Sequence, residues 1–236
     1  MRISGNQPAG RRRRDAHGDA QDARFDHNRK MTNPRPLKAL ALVCTLSPSP
    51  ARSSSQLMAE QVLAALAGHD VRTSLVRVVD HDVRPGVALD MGAGDAWPDI
   101  RAQVIDADIL VLATPTWMGQ HSSIAQRVLE RLDAELSETD ADGRLLTYGK
   151  VAVAAVVGNE DGAHHISGVL FQCLNDVGFT LPAGAVTYWN DEAASEFRDY
   201  QDLPNIPKKV AATTATVARN AVHLARLLAR DQYPAG

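Results

Sequence analysis

A hydroxyl-rich segment, residues 45–55, is the first part of the sequence whose composition points to chemistry. It holds five serines directly before a predicted helix, among them Ser47, Ser53, Ser54 and Ser55. Hydroxyls and free backbone N–H groups at a helix N-terminus form an anion site, because the helix dipole and the donors point the same way. We therefore predict a site for a phosphate monoester. The alternative is that Ser53 only caps the helix, although a cap needs one serine rather than five.

A second loop places aromatic and sulfur-containing surface where polar side chains are the norm. Trp117 and Met118 together offer a flat, polarizable surface. Pro115 and Gly119 are expected to shape a tight turn around Thr116. This combination indicates a planar ligand. The alternative is that Trp117 packs beneath the helix that follows.

A third loop is rich in glycine and polar residues and contains Gly158, Asn159, Glu160, Asp161 and Gly162. Its two glycines permit positive φ and a close approach of the backbone to a ring. The polar side chains between them have the chemistry to bind the edge of a heterocycle.

Two adjacent histidines, His164 and His165, follow this loop. Side chains one residue apart do not share a face of a helix, and no cysteine or H-E-x-x-H motif lies nearby. We therefore expect no metal site. The two histidines either line a pocket or are solvated residues of a first helical turn.

The elements that must position these loops are read from hydrophobic periodicity. Short apolar runs predict strands at 37–44, 71–79, 108–113, 151–157 and 180–189. Amphipathic stretches between and after them predict five helices, the last ending near residue 230. Strands that alternate with helices predict a parallel sheet covered on both faces. Ligands of such sheets bind beyond the carboxyl ends of the strands, which is where all three loops fall.

Several other functions of this architecture are excluded by missing motifs. Neither G-x-G-x-x-G nor G-x-x-x-x-G-K-[ST] is present, which argues against the usual dinucleotide and nucleoside-triphosphate loops. The first strand does not end in the aspartate of a phospho-acceptor domain. Cys44 and Arg52 are separated by seven residues rather than the five of a phosphatase loop, and no G-x-S-x-G motif occurs.

Composition divides the chain of 236 residues into two unlike parts. Residues 1–36 hold nine Lys and Arg against four Asp and show almost no apolar periodicity, so we predict a disordered basic extension. The remainder holds sixteen basic against twenty-four acidic residues. The arginine run Arg11–Arg14 could bind nucleic acid or anionic lipid, but we expect neither partner. Met31 is an alternative start, just before the first strand.

The location of the protein is inferred from what the sequence lacks. No apolar run approaches the roughly 20 residues of a membrane span, and no signal-peptide core follows the arginines. Two cysteines cannot build a disulfide framework. We therefore expect a soluble cytoplasmic protein.

The three loops together suit a mononucleotide with a large flat ring, namely FMN. At these positions the sequence resembles the flavodoxin-like NADPH-dependent FMN reductase and NAD(P)H:quinone oxidoreductase families, over about residues 37–230. The similar segments are S-P-S-P-A-R-S-S-S, T-P-T-W-M-G-Q-H-S-S and V-V-G-N-E-D-G-A-H-H with F-Q-C-L-N-D-V-G-F-T-L-P after it. The resemblance implies one domain, residues 37–236, with a flavodoxin-like three-layer α/β sandwich. Its five-stranded parallel sheet has the order 2-1-3-4-5, with helices on both faces.

The resemblance also implies which residues bind the cofactor. By position, Ser47, Ser53, Ser54 and Ser55 resemble the loop around the FMN phosphate. The turn that flanks the isoalloxazine corresponds to Pro115, Thr116, Trp117, Met118 and Gly119, and its pyrimidine edge would face Gly158, Asn159, Glu160, Asp161 and Gly162. Members of the family often have Asn and Thr where this chain has Ser54 and Ser55.

The implied activity is hydride transfer from NADPH or NADH through bound FMN to a quinone, a free flavin or a similar small acceptor. No acid or base residue is required, and backbone N–H groups of the turn at 116–119 could stabilise charge on the ring. The resemblance further implies a homodimer. The alternatives are a noncatalytic flavodoxin-like electron carrier and a flavin-free binding module on the same fold. Tyr188 and Trp189 either border the pocket or pack in the core.

Overall fold

The computed structural model describes residues 35–191 and 198–235. Within these ranges, each strand and each helix that the sequence predicts is present. The strands are β1 (Lys38–Val43), β2 (Arg72–Arg77), β3 (Ile109–Trp117), β4 (Gln120–His121), β5 (Val151–Gly158) and β6 (Val186–Asn190). The helices are α1 (Ser54–Ala67), α2 (Trp97–Asp106), α3 (Ser123–Leu132), α4 (Ala163–Asp176) and α5 (Lys208–Leu228).

The sheet has the topology that the resemblance implied. Five strands are hydrogen-bonded in the order β2-β1-β3-β5-β6, and each of these pairs is parallel. Counted along the chain without β4, this is the order 2-1-3-4-5 of the flavodoxin-like fold, which is confirmed. The one difference is β4, a two-residue strand that pairs antiparallel with the end of β3.

Alternating residues of the strands build two separate cores, one on each face of the sheet. In β1, Leu40 and Leu42 face the core formed with α2, α3 and α4, whereas Ala41 and Val43 face the core formed with α1 and α5. All four side chains are fully buried. Burial on both faces explains why β1 is a continuous apolar run rather than an alternating one.

The predicted basic extension lies almost wholly outside the described residues, which begin at Arg35. No helix in the described part of the chain is both long enough and apolar enough to span a membrane.

A long connection between β2 and α2 is held in place by a buried ion pair. The Arg131 guanidinium of α3 lies 2.7 Å from the Asp95 carboxylate, and both side chains are fully buried. Arg131 also donates to the backbone carbonyls of Arg84 and Leu89, and it lies over the ring of Trp97. The connection therefore has a fixed path although its only helical segment is a 3-10 turn at Val78–Asp80.

The same ion pair affects how the carboxylate titrates. Burial works to raise the pKa of Asp95, but backbone N–H donors from Met91, Trp97 and Arg84 together with Arg131 lower it to about 2 from an ordinary 3.8. A carboxylate with a lowered pKa stabilises the fold above its ordinary pKa, and this stabilisation is lost as the pH falls through the folded-state pKa.

We therefore expect a specific acid sensitivity from Asp95. Its contribution of about 2 kcal/mol should be complete above about pH 4 and should be lost towards pH 2. Urea unfolding at a series of pH values measures this, with Asp95→Asn as the comparison. Wild type should lose more stability than the variant over that interval, and parallel losses would show that Asp95 does not titrate as described.

Candidate functional site

The loop after β3 is the tight turn of a β-hairpin, in which the end of β3 pairs with β4. β3 continues through Pro115 and Thr116 to Trp117, because it pairs with β5 as far as Pro115 opposite Val157. The turn itself is made by Met118 and Gly119, which both have positive φ, at 52° and 72°. The prediction that Pro115 shapes the turn is therefore wrong, whereas that for Gly119 is confirmed.

The apex of this hairpin presents apolar surface to solvent. The exposed fraction is 56% for Trp117 and 90% for Met118. Trp117 therefore does not pack beneath α3, which was the alternative interpretation. Exposed aromatic surface of this kind is available for stacking against a planar ligand.

A buried hydrogen-bond network anchors the base of the hairpin. Ser122 caps α3 by accepting the N–H of Ala125. Its hydroxyl donates to the carbonyl of Cys44 at 2.5 Å, and its backbone N–H donates to Oγ1 of Thr114. One serine therefore ties together the carboxyl ends of β1 and β3 and the start of α3, which fixes where the hairpin begins.

The loop after β5 packs directly against this hairpin. The backbone N–H of Met118 donates to Oε1 of Glu160 at 2.5 Å. Gly162 has a φ of 141°, and a Cβ there would lie 2.8 Å from Cα of Gly119. A Cβ on Gly158 would lie 2.6 Å from Cβ of Thr116. The glycines therefore allow the two predicted ring-binding loops to touch.

Asn190 at the end of β6 and Asp199 further along the chain bond to polar side chains of the loop after β5 and complete this part of the site. Asp161 accepts from the backbone N–H of Gly162 and, at 3.2 Å, from the side-chain amide of Asn190. Asn159 donates to Asp199 at 3.0 Å. Asn190 is not among the site residues predicted from the sequence. The signal that pointed to the three predicted loops applies to it as well, because it is a polar residue at the carboxyl end of a parallel strand.

The serine loop after β1 is held by β2 and by the helical turn after it. Ser53 caps α1 by accepting the N–H of Gln56, and its part in a phosphate site stays a prediction beside this cap. Arg77 donates to the hydroxyl of Ser49 and to the carbonyl of Ala51. The hydroxyl and backbone N–H of Ser49 in turn donate to Asp80, and these bonds hold the pKa of Asp80 below its ordinary value.

A cavity of about 590 Å³ opens beside the start of α1. Its lining includes two arginines together with hydroxyl and amide groups. The polar residues in question are Ser49, Arg52, Ser53, Gln56, Glu60, Arg77 and Gln201. Arg77 is 7% exposed, whereas Arg52 is exposed and pairs with Asp202 at 2.7 Å. Arg77 and the free N–H groups of the first turn of α1 favour an anion in the cavity, whereas Glu60 and the pairing of Arg52 with Asp202 reduce the positive charge there.

The predicted phosphate-loop serines do not all occupy one surface. Ser53 lines the cavity, and Ser54 lies next to it and accepts the backbone N–H of Gln201. Ser55 is 2% exposed in the first turn of α1, whereas Ser47 is exposed earlier in the loop. The assignment of these four residues to a phosphate remains a prediction.

The two histidines after the third loop each have a side-chain partner. His164 lies 3.1 Å from the hydroxyl of Tyr188, with the rings in an edge-on arrangement, and His165 lies 3.1 Å from Oε1 of Gln120. Tyr188 is half-buried, and so is Trp189, which packs against Tyr200. These contacts place both aromatic residues of β6 at the border between core and surface.

Comparison with known proteins shows which family the chain belongs to. Residues 37–193 match the sequence profile described as NADPH-dependent FMN reductase, and they make up about two thirds of the chain. The chain belongs to this family. The expected resemblance is thereby confirmed, and with it the predicted class, a flavin oxidoreductase of the FMN reductase family.

Two relatives of this FMN reductase family member are a synthase and a transporter, and they differ in how much of their length the chain matches. The chain is 32% identical to 8-demethyl-8-aminoriboflavin-5'-phosphate synthase of Streptomyces davaonensis, over 84% of this chain and 80% of that protein. It is 38% identical over 161 residues to the divalent metal cation transporter MntH of Mycobacterium bovis. That match covers 66% of this chain but spans only about a quarter, 24%, of the transporter.

A solved structure matches the fold closely. The crystal structure of RosB with the bound intermediate 8-demethyl-8-formylriboflavin-5'-phosphate superposes with a TM-score of 0.77. The sequence identity is 31%, over 84% of this chain and 82% of that chain.

The residues at the carboxyl edge fit the flavin cofactor of the FMN reductase family. Arg77 supplies positive charge for a phosphate, with Arg52 beside it paired to Asp202, and Trp117 supplies exposed aromatic surface for a ring. Buried oxygens without a hydrogen-bond partner occur at Thr116 Oγ1, Asn190 Oδ1 and Gln201 Oε1. Buried polar atoms are normally paired, so these oxygens suit a ligand that brings hydroxyl or N–H donors.

Proposed function

We propose that this member of the FMN reductase family is an FMN-dependent oxidoreductase that takes hydride from NADPH or NADH. The acceptor we propose is a quinone, a free flavin or a similar small molecule. The observation that carries the proposal is the contact between the two loops after β3 and β5, with Trp117 exposed beside it. This arrangement offers exposed aromatic surface beside two touching loops, which suits the binding of a planar ring.

Bound FMN would supply the hydride-transfer chemistry, and the protein supplies binding, orientation and electrostatics. Arg52, Arg77 and the start of α1 would hold the phosphate. The aromatic face of Trp117 would orient the ring. Glu160 fixes the backbone of Met118, so the hairpin keeps its shape before the nucleotide arrives. No acid or base side chain is assigned, since these residues only bind and orient.

Flavin binding is the first test of this proposal. We expect the purified protein to be yellow or to become yellow with added FMN, with an affinity that is lower for riboflavin because it lacks the phosphate. Equilibrium dialysis against both flavins measures this. A protein that binds neither flavin would exclude the oxidoreductase and leave the flavin-free binding module.

Replacing Trp117 with alanine is expected to weaken FMN binding about five- to ten-fold, because a stacking surface is removed. Stability should change little, since the side chain is 56% exposed. Fluorescence titration with FMN measures the affinity. Leu136→Ala, which removes a side chain of similar exposure on the 3-10 turn after α3, is the matched control. If wild type and Trp117→Ala bind FMN with equal affinity, Trp117 and its hairpin are not part of the flavin site.

A second candidate function is favoured by the synthase relative and the RosB structure. Both names concern riboflavin 5'-phosphate derivatives, and both matches cover more than four fifths of this chain. In this alternative, a flavin 5'-phosphate is the substrate rather than a resident cofactor. Incubation with FMN followed by mass spectrometry of the released flavin tests it, because a resident cofactor is recovered unchanged.

We also propose a cytoplasmic homodimer. The dimer is supported by the exposed apolar side chains of Trp117 and Met118, which a second subunit could cover in part. Light scattering during size-exclusion chromatography gives the mass directly. A monomeric mass with bound FMN would contradict the dimer without affecting the flavin site.

A further inference from the structure

A short segment after β6, residues 199–202, crosses the carboxyl edge between the loops already described. Its anchor is Tyr200, which is 2% exposed, packs against Trp189 and donates its hydroxyl to Gln61 of α1 at 2.7 Å. A buried aromatic anchor fixes the position of the residues on either side of it.

Each neighbour of Tyr200 reaches a different loop of the site. Asp199 accepts from Asn159 in the loop after β5. Asp202 pairs with Arg52 in the loop after β1 at 2.7 Å, and Arg52 also donates to the carbonyl of Gln201 at 2.5 Å. The segment is therefore a bridge between the predicted ring-binding loop and the anion cavity.

Gln201 occupies the cavity side of this bridge. Its backbone N–H donates to the hydroxyl of Ser54 at 3.3 Å, and its side chain lines the cavity. The amide nitrogen faces Asp199 at 3.4 Å, and a carboxylate can only accept, so the nitrogen and oxygen of the amide are distinguished. The oxygen is the atom left buried without a hydrogen-bond donor.

We propose that Gln201 is a flavin-binding residue whose side-chain oxygen accepts a hydrogen bond from a hydroxyl of the ribityl chain. This inference rests on the proposed function and adds residues 199–202 to its site. The ribityl chain joins ring and phosphate, and Gln201 lies on the bridge between the loops predicted to bind those two groups. The chain carries three hydroxyl donors, which is what an unpaired acceptor requires. Gln201 thereby selects flavins that carry a polyol chain.

The test compares three flavins on the intact protein. Gln201→Met removes the acceptor while nearly keeping the shape of the side chain, and dissociation constants are measured for FMN, riboflavin and lumiflavin. Lumiflavin has the ring but neither the ribityl chain nor the phosphate. We expect FMN and riboflavin to bind about three- to ten-fold more weakly to the variant, and lumiflavin to bind equally to both proteins.

Gln172→Met, on the exposed side of α4, is the matched control and should bind all three flavins as wild type does. Gln201→Leu repeats the measurement if the methionine variant fails to fold. Unchanged FMN affinity, or equal weakening for lumiflavin, would overturn the role of Gln201 and leave the proposed function intact. Wild type that binds no flavin would instead overturn the proposed function itself.

Discussion

Gly162→Ala is expected to weaken FMN binding by more than about ten-fold and to destabilise the fold by about 1–3 kcal/mol. Gly162 has a φ of 141°, which side chains rarely adopt, and the new Cβ would lie 2.8 Å from backbone atoms of Gly119. Backbone cannot move aside as a flexible side chain can. The two loops must therefore separate, and the ring loses the surface that they form together.

Gly168→Ala, in the helix that Gly162 caps, is the control, since a Cβ there would meet nothing within 4 Å apart from its neighbours and the nearby backbone of its own helix. It should leave FMN binding unchanged and stabilise α4 slightly, because alanine favours a helix over glycine by about 0.5–1 kcal/mol. Fluorescence titration and urea unfolding measure both variants. If Gly162→Ala binds FMN as tightly as Gly168→Ala does, contact between the two loops is not needed for the site.

Arg131→Met is expected to destabilise the protein by about 3–5 kcal/mol, which is the largest effect on stability that we anticipate. The substitution leaves the fully buried carboxylate of Asp95 without its cation. It also removes the donors for the carbonyls of Arg84 and Leu89, which hold the connection before α2. The free energy of unfolding from urea denaturation measures the loss.

Arg219→Met, on the exposed face of α5, is the matched control and should change stability by less than about 0.5 kcal/mol. The affinity of Arg131→Met for FMN should remain near that of wild type wherever the protein is folded, because Arg131 packs on the connection and not on the predicted ligand loops. A loss of less than about 1 kcal/mol would show that the buried pair is not coupled to folding as the contacts indicate.

Local sequence patterns were sufficient to predict the strands and helices and the shared edge of the sheet at which the three loops lie, whereas the strand order came from the family resemblance. Strands buried on both faces appear as continuous apolar runs, and their carboxyl ends must meet at one edge. Ser53 occupies the helix cap that its position before the predicted helix indicates. Such features depend on neighbours in sequence, which is why composition and spacing reveal them.

Features that depend on distant partners could not be predicted in the same way. Pro115 suggested a turn, yet β3 continues past it because β5 offers a partner. Arg131 resembles a solvated helical residue until Asp95 is brought to it from 36 positions away. Gln201 gave no signal, since its place beside Ser54 depends on the anchor at Tyr200. In each case tertiary contact decides the role of the residue.

Anaerobic mixing of the FMN-loaded protein with NADPH, and separately with NADH, tests the proposed oxidoreductase most directly. We expect one or both nucleotides to remove the visible absorbance of the oxidised flavin rapidly, and a quinone added afterwards to restore it. If neither nucleotide changes the absorbance and only a separate reductase can remove it, the protein is an electron carrier and the proposed activity is wrong.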